Sequence, residues 1–224
     1  MPGPPRIPAP RTLVIETASE ACSVALFERD ALLAHAHAVL GRGHAERLVP
    51  MIADLPDRGR AGRICVSRGP GSFTGVRIGI AAARALGLAW GAEVLGYHTL
   101  ALVAAMARAK HPGEPVTVCM TGGHGEWFVA DFGPDGEAEG PLASLTPEAA
   151  AQRSAHRIIA GSRAQDLAQL RADGPHLALD LLPDARALAD LPPRSLTEEV
   201  GAIYGRAPDA APQGPSTLHA GGAP

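Results

Sequence analysis

The first part of the chain alternates between short apolar runs and polar turns. Three runs, at residues 12–16, 22–27 and 32–39, are separated by polar turns at 17–20 and 28–30. Apolar runs of this length that are bounded by polar residues are typical of strands. The pattern therefore predicts an antiparallel meander of three strands.

Helical spacing of apolar residues begins at His44. The apolar residues of this stretch fall on one helix face and are Leu48, Met51, Ile52 and Leu55. Pro50 would lie inside the helix, so we expect a kink or an early end there. The next predicted elements are a strand at 63–67, an alanine-rich helix that ends near residue 90, a strand at 93–96 and a helix at 99–110.

The second part of the chain is again predicted to contain strands and helices, but they are shorter. Predicted strands at 116–120 and 126–132 are joined by a glycine-rich turn. Thr146, Pro147 and Glu148 form a good helix start, because Thr can cap, Pro fits the first position and Glu favours the positive end. The last predicted elements are a short strand at 156–160 and helices near 163–171 and 183–191.

The order of these elements predicts the fold class. In the first part it is β-β-β-α-β-α-β-α, which matches one half of an actin-like (ribonuclease-H-like) domain. We therefore predict an α/β protein with two similar mixed-sheet halves, at 11–110 and 111–206, the second one reduced. The ends, 1–10 and 207–224, are rich in Pro, Gly and Ala and have little to bury, so we predict disordered tails.

Composition excludes several functional classes. The 224 residues carry 20 basic and 23 acidic side chains, a net charge of −3 that argues against a broad phosphate-binding surface. Aromatic residues are only 4%, too few for base-stacking platforms. Cys22, Cys65 and Cys119 form no C-x-x-C pair, and no apolar run reaches the roughly 18 residues of a membrane span. We expect a soluble cytoplasmic protein with reduced thiols and no membrane partner.

The glycine-rich loop between the fourth strand and the long helix is the sharpest candidate for chemistry. Backbone N–H groups at such a junction can hold an anion. The candidate anion or nucleotide residues are Gly69, Gly71, Ser72, Thr74 and Gly75. The P-loop pattern fails because no G-K-[ST] follows, and the dinucleotide pattern fails because the third glycine comes one residue late. A tight turn that requires glycine is the alternative, and the local pattern favours it.

Small residues recur every four positions along the long helix. Gly75, Gly79, Ala83, Gly87 and Gly91 form one ridge on which another backbone can pack closely. Glycine inside a helix costs roughly 0.5–1 kcal/mol relative to alanine, so the repetition indicates close packing. The ridge packs either against the sheet of its own domain, which we favour, or against a helix of a partner.

Metal-ligand patterns are weak in this chain. His35 and His37 would share one strand face, but no third ligand lies near them in sequence. Glu16 ends the first strand, where a carboxylate can face phosphate or metal, yet the turn at 121–123 offers no second carboxylate. We predict no metal site and no catalytic residue.

Three segments resemble the bacterial TsaB family. They are residues 14–26, 44–52 and, most specifically, the run R-G-P-G-S-F-T-G-V-R-I-G at 68–79. The resemblance is dense over 13–105. Beyond that it rests on Gly125–Glu126 and on the tripeptide at 204–206.

The resemblance implies the actin-like ATPase fold and a role in making threonylcarbamoyladenosine, the modified base beside the anticodon of some tRNAs. Members of that family are noncatalytic scaffolds for a paralogous transferase, TsaD, with which they form a heterodimer, and a small ATPase, TsaE, joins the pair. The chain would then bind tRNA only indirectly and need no cofactor of its own. ATP or ADP at the complex junction, and a homodimer of the isolated chain, are left open.

The resemblance also implies that the partner binds two helices of the first half. The residues predicted for this interface are Leu48, Met51, Ile52, Leu55, Val76, Gly79, Ile80, Ala83 and Gly87.

Departures from the family pattern favour a noncatalytic role. Where the catalytic paralogue has a metal-binding histidine pair, this chain has at most His98, and Glu16 replaces the usual Asp. Two alternatives stay open. An independent actin-like ATPase or kinase would need paired carboxylates for Mg²⁺ and phosphate-binding loops in both halves. A glycoprotease-type peptidase, the less favoured alternative, would need a nucleophile–base pair or a catalytic metal.

Overall fold

The structure is a computed structural model that describes residues 10–205, so the predicted tails lie outside it except for Pro10. Its first half contains β1 (Arg11–Glu16), β2 (Ala21–Glu28), β3 (Ala31–Val39), α1 (His44–Ala53), β4 (Arg63–Ser67), α2 (Phe73–Trp90), β5 (Glu93–Tyr97) and α3 (Thr99–Lys110). Its second half contains β6 (Val116–Thr121), β7 (Trp127–Phe132), β8 (Ala143–Leu145), α4 (Pro147–Arg153), β9 (Ile158–Ala160), α5 (Ala164–Leu170) and β10 (Leu177–Leu179).

Both halves contain a five-stranded sheet with the same topology. The first sheet has the order β3-β2-β1-β4-β5, and the second has the order β8-β7-β6-β9-β10. In each sheet the first three strands are antiparallel, and the last two run parallel to the first strand of their half. The predicted fold class, two similar mixed-sheet halves with a reduced second one, is therefore confirmed.

The core is layered, and α3 forms its central layer. One face of α3 packs Leu102 and Ala105 against the first sheet, while the other packs Leu100 and Val103 against the second sheet. The outer face of the first sheet is covered by α1 and α2, and that of the second by α4 and α5. The two halves, called lobes below, are thus joined through a shared buried helix.

Some predicted elements differ from the structure. β8 and β10, three residues each, were not predicted, and the helix expected at 183–191 is a 3₁₀ helix at Ala185–Asp190. Pro50 lies inside α1 without ending it, because the buried side chains of Met51 and Ile52 hold the last turn on the sheet. Within residues 10–205, no helix is both long and apolar enough to cross a bilayer.

The end of the described chain returns to the first lobe as an extended segment, residues 197–205, here called the C-terminal strap. Thr197 and Gly96 exchange two backbone hydrogen bonds of 2.7 and 3.0 Å at the β5 edge. The Arg68 guanidinium donates to the Gly201 carbonyl at 2.8 Å, and the Ile203 amide donates to the Arg68 carbonyl at 2.7 Å. The strap is therefore held on the first lobe, along the edge of its sheet opposite β3.

Candidate functional site: a cleft between the lobes

A cavity of about 780 Å³ opens between the two lobes. The first lobe contributes the β1–β2 turn and the start of α2, and the second lobe contributes the β6–β7 turn. Its large apolar side chains are Phe73, Met120, Phe128 and Tyr204. A volume of this size is typical of small-molecule sites.

The glycine-rich loop forms one wall of the cleft and is built as a tight turn. Ser72 caps α2, because its Oγ accepts the Gly75 amide at 3.2 Å, and its own amide donates to the Ala18 carbonyl at 2.7 Å. A Cβ at Gly71 would overlap that carbonyl oxygen, so only glycine fits there. The favoured interpretation of the loop as a turn is confirmed. Anion binding by Gly69, Gly71, Ser72, Thr74 and Gly75 stays a prediction, with Gly71 and Ser72 lining the cleft.

The small-residue ridge of α2 faces its own sheet. A Cβ at Gly75 would overlap the Thr17 carbonyl oxygen, one at Gly79 the Thr17 hydroxyl, and one at Gly87 would crowd Val94. Ala83 is completely buried, and Gly91 ends the helix at a positive φ of 64°. The internal explanation for the ridge, which the sequence favoured, is therefore confirmed.

The side chains predicted for the partner interface lie in the core and need correction. All nine are buried under α1 and α2 or beside them, where their apolar spacing matches the sheet: Leu48, Met51, Ile52, Leu55, Val76, Gly79, Ile80, Ala83 and Gly87. In this conformation none of them offers a surface to another protein. Whether these two helices bind a partner stays a prediction, but other residues must make the contact.

The outward faces of α1 and α2 carry a second set of apolar residues. Ala81, Ala85 and Ala89 are exposed and four residues apart on α2, and Leu88 beside them is 89% exposed. On α1 the exposed large apolar residue is Val49. The two helices therefore present an apolar surface of mostly small side chains, called the outer helix face below.

An arginine and two aromatic rings meet at the mouth of the cleft. The Arg77 guanidinium lies 3.3 Å from the centroid of the Phe73 ring and 5.2 Å from that of Tyr204. The two rings are 5.6 Å apart. Sequence reasoning missed this cluster, because Tyr204 lies more than 120 positions after Phe73 and Arg77 and shares no motif with them.

Glu16 does not face a ligand, which corrects the role considered for it. Its carboxyl is completely buried at the end of β1, where Oε1 accepts the Ala18 amide at 2.7 Å and Oε2 has no hydrogen-bond partner. Burial raises the pKa of Glu16 to about 7, against the smaller opposing effect of its hydrogen bonds. The group is therefore largely protonated below neutral pH and belongs to the core of the first lobe.

The remaining candidates do not assemble into a catalytic site. Ser23 and His35 both lie near Asp184, but the Ser23 hydroxyl contacts the carboxylate and the Ala185 amide rather than the imidazole. Across residues 10–205, no three His, Cys, Asp or Glu side chains are grouped as metal ligands. His98 occupies the N-cap position of α3 without a side-chain capping hydrogen bond, and burial lowers its pKa.

The duplicated mixed sheet and the cleft between its lobes define an α/β protein of the actin-like class. A family model described as TsaD, tRNA N6-adenosine threonylcarbamoyltransferase, matches residues 38–162. The structure of YeaZ from Pseudomonas aeruginosa is similar with a TM-score of 0.74 and 30% identity, covering 87% of this chain and 99% of that one. The chain therefore belongs to the TsaD family and, within it, to the TsaB (YeaZ) group.

Curated relatives match the chain over part of its length. The tRNA threonylcarbamoyladenosine biosynthesis protein TsaB of Escherichia coli is 40% identical over 129 residues, 54% of each protein. The protein of the same name from Haemophilus influenzae is 36% identical over 115 residues, 48% of each. The chain thus spans about half the length of the curated relatives it matches.

Proposed function

We propose that this chain takes part in the biosynthesis of threonylcarbamoyladenosine in tRNA as a noncatalytic subunit. In this proposal it binds a TsaD-type paralogue as a heterodimer and supports the activity of that transferase. The observation that carries the proposal is the apolar outer helix face, on a chain whose cleft holds no pair of carboxylates among the residues that line it.

The chemistry of the cleft supports a noncatalytic role. Glu20 is the carboxylate among its lining residues, whereas Mg²⁺-dependent phosphoryl transfer relies on several oxygen ligands. The thiols are poor nucleophiles, because burial raises the pKa of Cys22 to about 11 and those of Cys65 and Cys119 to about 12. These features also disfavour a peptidase.

The outer helix face supports binding to another helical surface. Alanines at four-residue spacing allow a second helix to approach closely, because the distance between packed helix axes, about 8–10 Å, depends on the side chains at the contact. Leu88, almost fully exposed, is a large apolar side chain whose burial against a partner would be favourable. Arg84 is tied to the strap through the Val200 carbonyl at 2.8 Å, so the strap borders this face.

The charge balance supports indirect tRNA binding. With a net charge of −3, the chain supplies few of the phosphate contacts that dominate affinity for nucleic acid. We therefore propose that the transferase supplies most of the tRNA affinity and that a TsaE-type ATPase joins the pair. Sub-micromolar binding of tRNA by this chain alone in a filter assay would contradict this part of the proposal.

The interface is tested by mixing the chain with the TsaD-type paralogue from the same organism and measuring mass by light scattering after gel filtration. Leu88→Glu is expected to weaken the heterodimer by at least about tenfold, because it places a charge in an apolar contact. Leu170→Glu is the matched control, since Leu170 is an exposed leucine (48%) on α5 of the other lobe. Absence of a heterodimer, or equal loss in both variants, contradicts the proposal.

An independent ATPase or kinase is the second candidate, and the volume of the cleft favours it. A nucleotide fits in about 780 Å³, and the start of α2 lies at its wall. Calorimetric titration of the chain alone with Mg²⁺-ATP separates the two candidates. Micromolar binding accompanied by release of phosphate favours the ATPase, while absence of heat favours the noncatalytic subunit.

A further inference from the structure

The cleft between the lobes has walls of the kind that bind a flat apolar molecule. Met120 and Phe128 form its inner wall from the second lobe and are 4% and 7% exposed. Phe73 and Tyr204 lie at its mouth and are 61% and 46% exposed. Sites for small molecules combine apolar and aromatic walls with a few polar groups that orient the ligand. Because aromatic side chains stack favourably on other rings, these walls suit a ligand with an aromatic body.

Arg77 is the polar group that determines the charge of such a ligand. Its guanidinium carbon lies over the Phe73 ring, 3.3 Å from the centroid, and within 5.2 Å of the Tyr204 centroid. Stacking on a ring uses the face of a guanidinium and leaves available the N–H donors in its plane, which match the geometry of a carboxylate. Among residues 10–205, no carboxylate forms an ion pair with Arg77, whereas Arg68 and Arg186 each have one. The cleft therefore offers an anion a cation that the described part of the chain leaves unpaired.

We propose that the cleft binds a small aromatic carboxylate. Its ring lies between the aromatic side chains of the two lobes, and its carboxylate accepts hydrogen bonds from the Arg77 guanidinium. The apolar body accounts for the exposed rings of Phe73 and Tyr204, and the carboxylate accounts for the unpaired arginine between them.

The charges around the cleft favour a ligand with a single negative charge. Counting histidine as neutral, the charged side chains that line it are Arg77 and Glu20. One carboxylate is neutralised by Arg77. The several negative charges of a nucleoside triphosphate would meet one cation and one like charge, and charges that lose water without a partner are costly. The lining therefore selects a monoanion rather than a nucleotide.

The inference does not rest on the proposed function. The outer helix face lies where α1 and α2 cover the first sheet, whereas the cleft opens between the two lobes. The heterodimer is detected by its mass, and the ligand is detected by titration of the chain alone. Failure of one proposal therefore leaves the other intact.

The first experiment is a calorimetric titration of the full chain with naphthoate and with naphthamide, its uncharged analogue. The two molecules share one ring system and differ in charge. We expect one naphthoate per chain, bound at least about tenfold more tightly than naphthamide, because hydrogen bonds between a guanidinium and a carboxylate are about twice as strong as neutral ones. Equal affinities overturn the assignment of a carboxylate, and binding of neither molecule overturns the whole proposal.

A pair of arginine variants tests the role of Arg77. Arg77→Gln is expected to weaken naphthoate about tenfold or more and to change naphthamide by less than about threefold, since the charge is removed and the apolar walls remain. Arg47→Gln, a change at an exposed arginine on α1, is the matched control and should leave both affinities unchanged. Circular dichroism establishes that each variant is folded. A preference for naphthoate that survives Arg77→Gln, or that both variants lose, overturns the role of Arg77.

A pair of glycine variants tests the location. Gly123 lines the cleft and Gly62 lines a separate cavity of about 530 Å³ at the other end of β4. A Cβ at either glycine has nothing within 4 Å. Gly123→Trp should weaken both molecules at least about tenfold by filling the cleft, and Gly62→Trp should leave them unchanged. The reverse result places the ligand in the other cavity and overturns the proposal.

Competition tests the selection of a monoanion. Mg²⁺-ATP at millimolar concentration is expected to leave the affinity for naphthoate unchanged within about twofold, because the cleft lining does not compensate several negative charges. Displacement of naphthoate by micromolar Mg²⁺-ATP would show that the cleft is a nucleotide site and would overturn the assignment.

Discussion

The two lobes share one strand order but differ in the helices that cover them. α1 and α2 have 10 and 18 residues, whereas α4 and α5 have seven each. In both lobes, a glycine after the fourth strand touches a backbone carbonyl of the first strand or its turn. A side chain at Gly71 would overlap the Ala18 oxygen, and one at Gly161 would overlap the Cys119 oxygen.

The comparison distinguishes features that the shared topology requires from features found in one lobe only. The close approach at the glycine occurs in both lobes, so it follows from how a parallel strand turns into its helix beside the first strand. The long α2 with its exposed alanines occurs in the first lobe only, within the described residues. The feature that is not shared is therefore the better candidate for binding a partner.

Gly71→Ala is expected to have the largest effect on stability. Its Cβ would overlap the backbone oxygen of Ala18, which cannot move without shifting the β1–β2 turn, so we expect a loss of about 3 kcal/mol. Gly123→Ala, in the β6–β7 turn of the second lobe, is the control. It has nothing within 4 Å of the new Cβ and should change stability by less than about 0.5 kcal/mol. Urea unfolding measures both, and equal losses would contradict the contrast.

The pH dependence contributed by Glu16 belongs to the first lobe, since β6 ends in Thr121 at the same edge. Burial raises the pKa of Glu16 from 4.5 to about 7. Below pH 4.5 the group is protonated in both states. As the pH rises to 7, the unfolded chain releases the proton first, so its stabilising effect on the fold is lost.

The unfolding free energy of the wild type, relative to Glu16→Gln, should therefore fall by about 3 kcal/mol between pH 4.5 and pH 7.5. Urea denaturation at a series of pH values measures this difference. Glu114→Gln, a change at an exposed carboxylate, is the control and should follow the wild-type curve. A Glu16→Gln curve parallel to that of the wild type would show that Glu16 is ionised in the fold.

The sequence predicts elements where the apolar pattern is long enough to have a period. β4 and α3 begin and end at the predicted residues, because each is a continuous, mainly apolar segment bounded by turn-forming residues. β8 and β10 could not be found, since three residues carry no periodicity and these strands exist only through pairing with β7 and β9. Local pattern thus predicts the first lobe better than the second.

The same limit applies to the site. Spacing shows that one face of α1 is apolar, but it does not distinguish a face that covers its own sheet from one that binds a partner. The buried Leu48 and Met51 answer that question, and the exposed Leu88 carries no periodic signal at all. The cleft is assembled from segments far apart in the chain, so its aromatic wall becomes visible only in three dimensions.

The smallest effect on stability is expected for substitutions of Tyr204, where the strap contacts both lobes. Tyr204 stacks near Phe73 and Arg77 of the first lobe, and Gly205 beside it lies against Phe128 of the second. Tyr204→Ala removes the ring and should cost about 1 kcal/mol, the usual size of an exposed aromatic and cation–π contact. Tyr204→Phe keeps the ring and should be nearly neutral. Urea denaturation of both variants measures the difference. If the two variants lose equal stability, the contact depends on the phenol hydroxyl rather than on the ring, and the stack does not hold the strap on the first lobe.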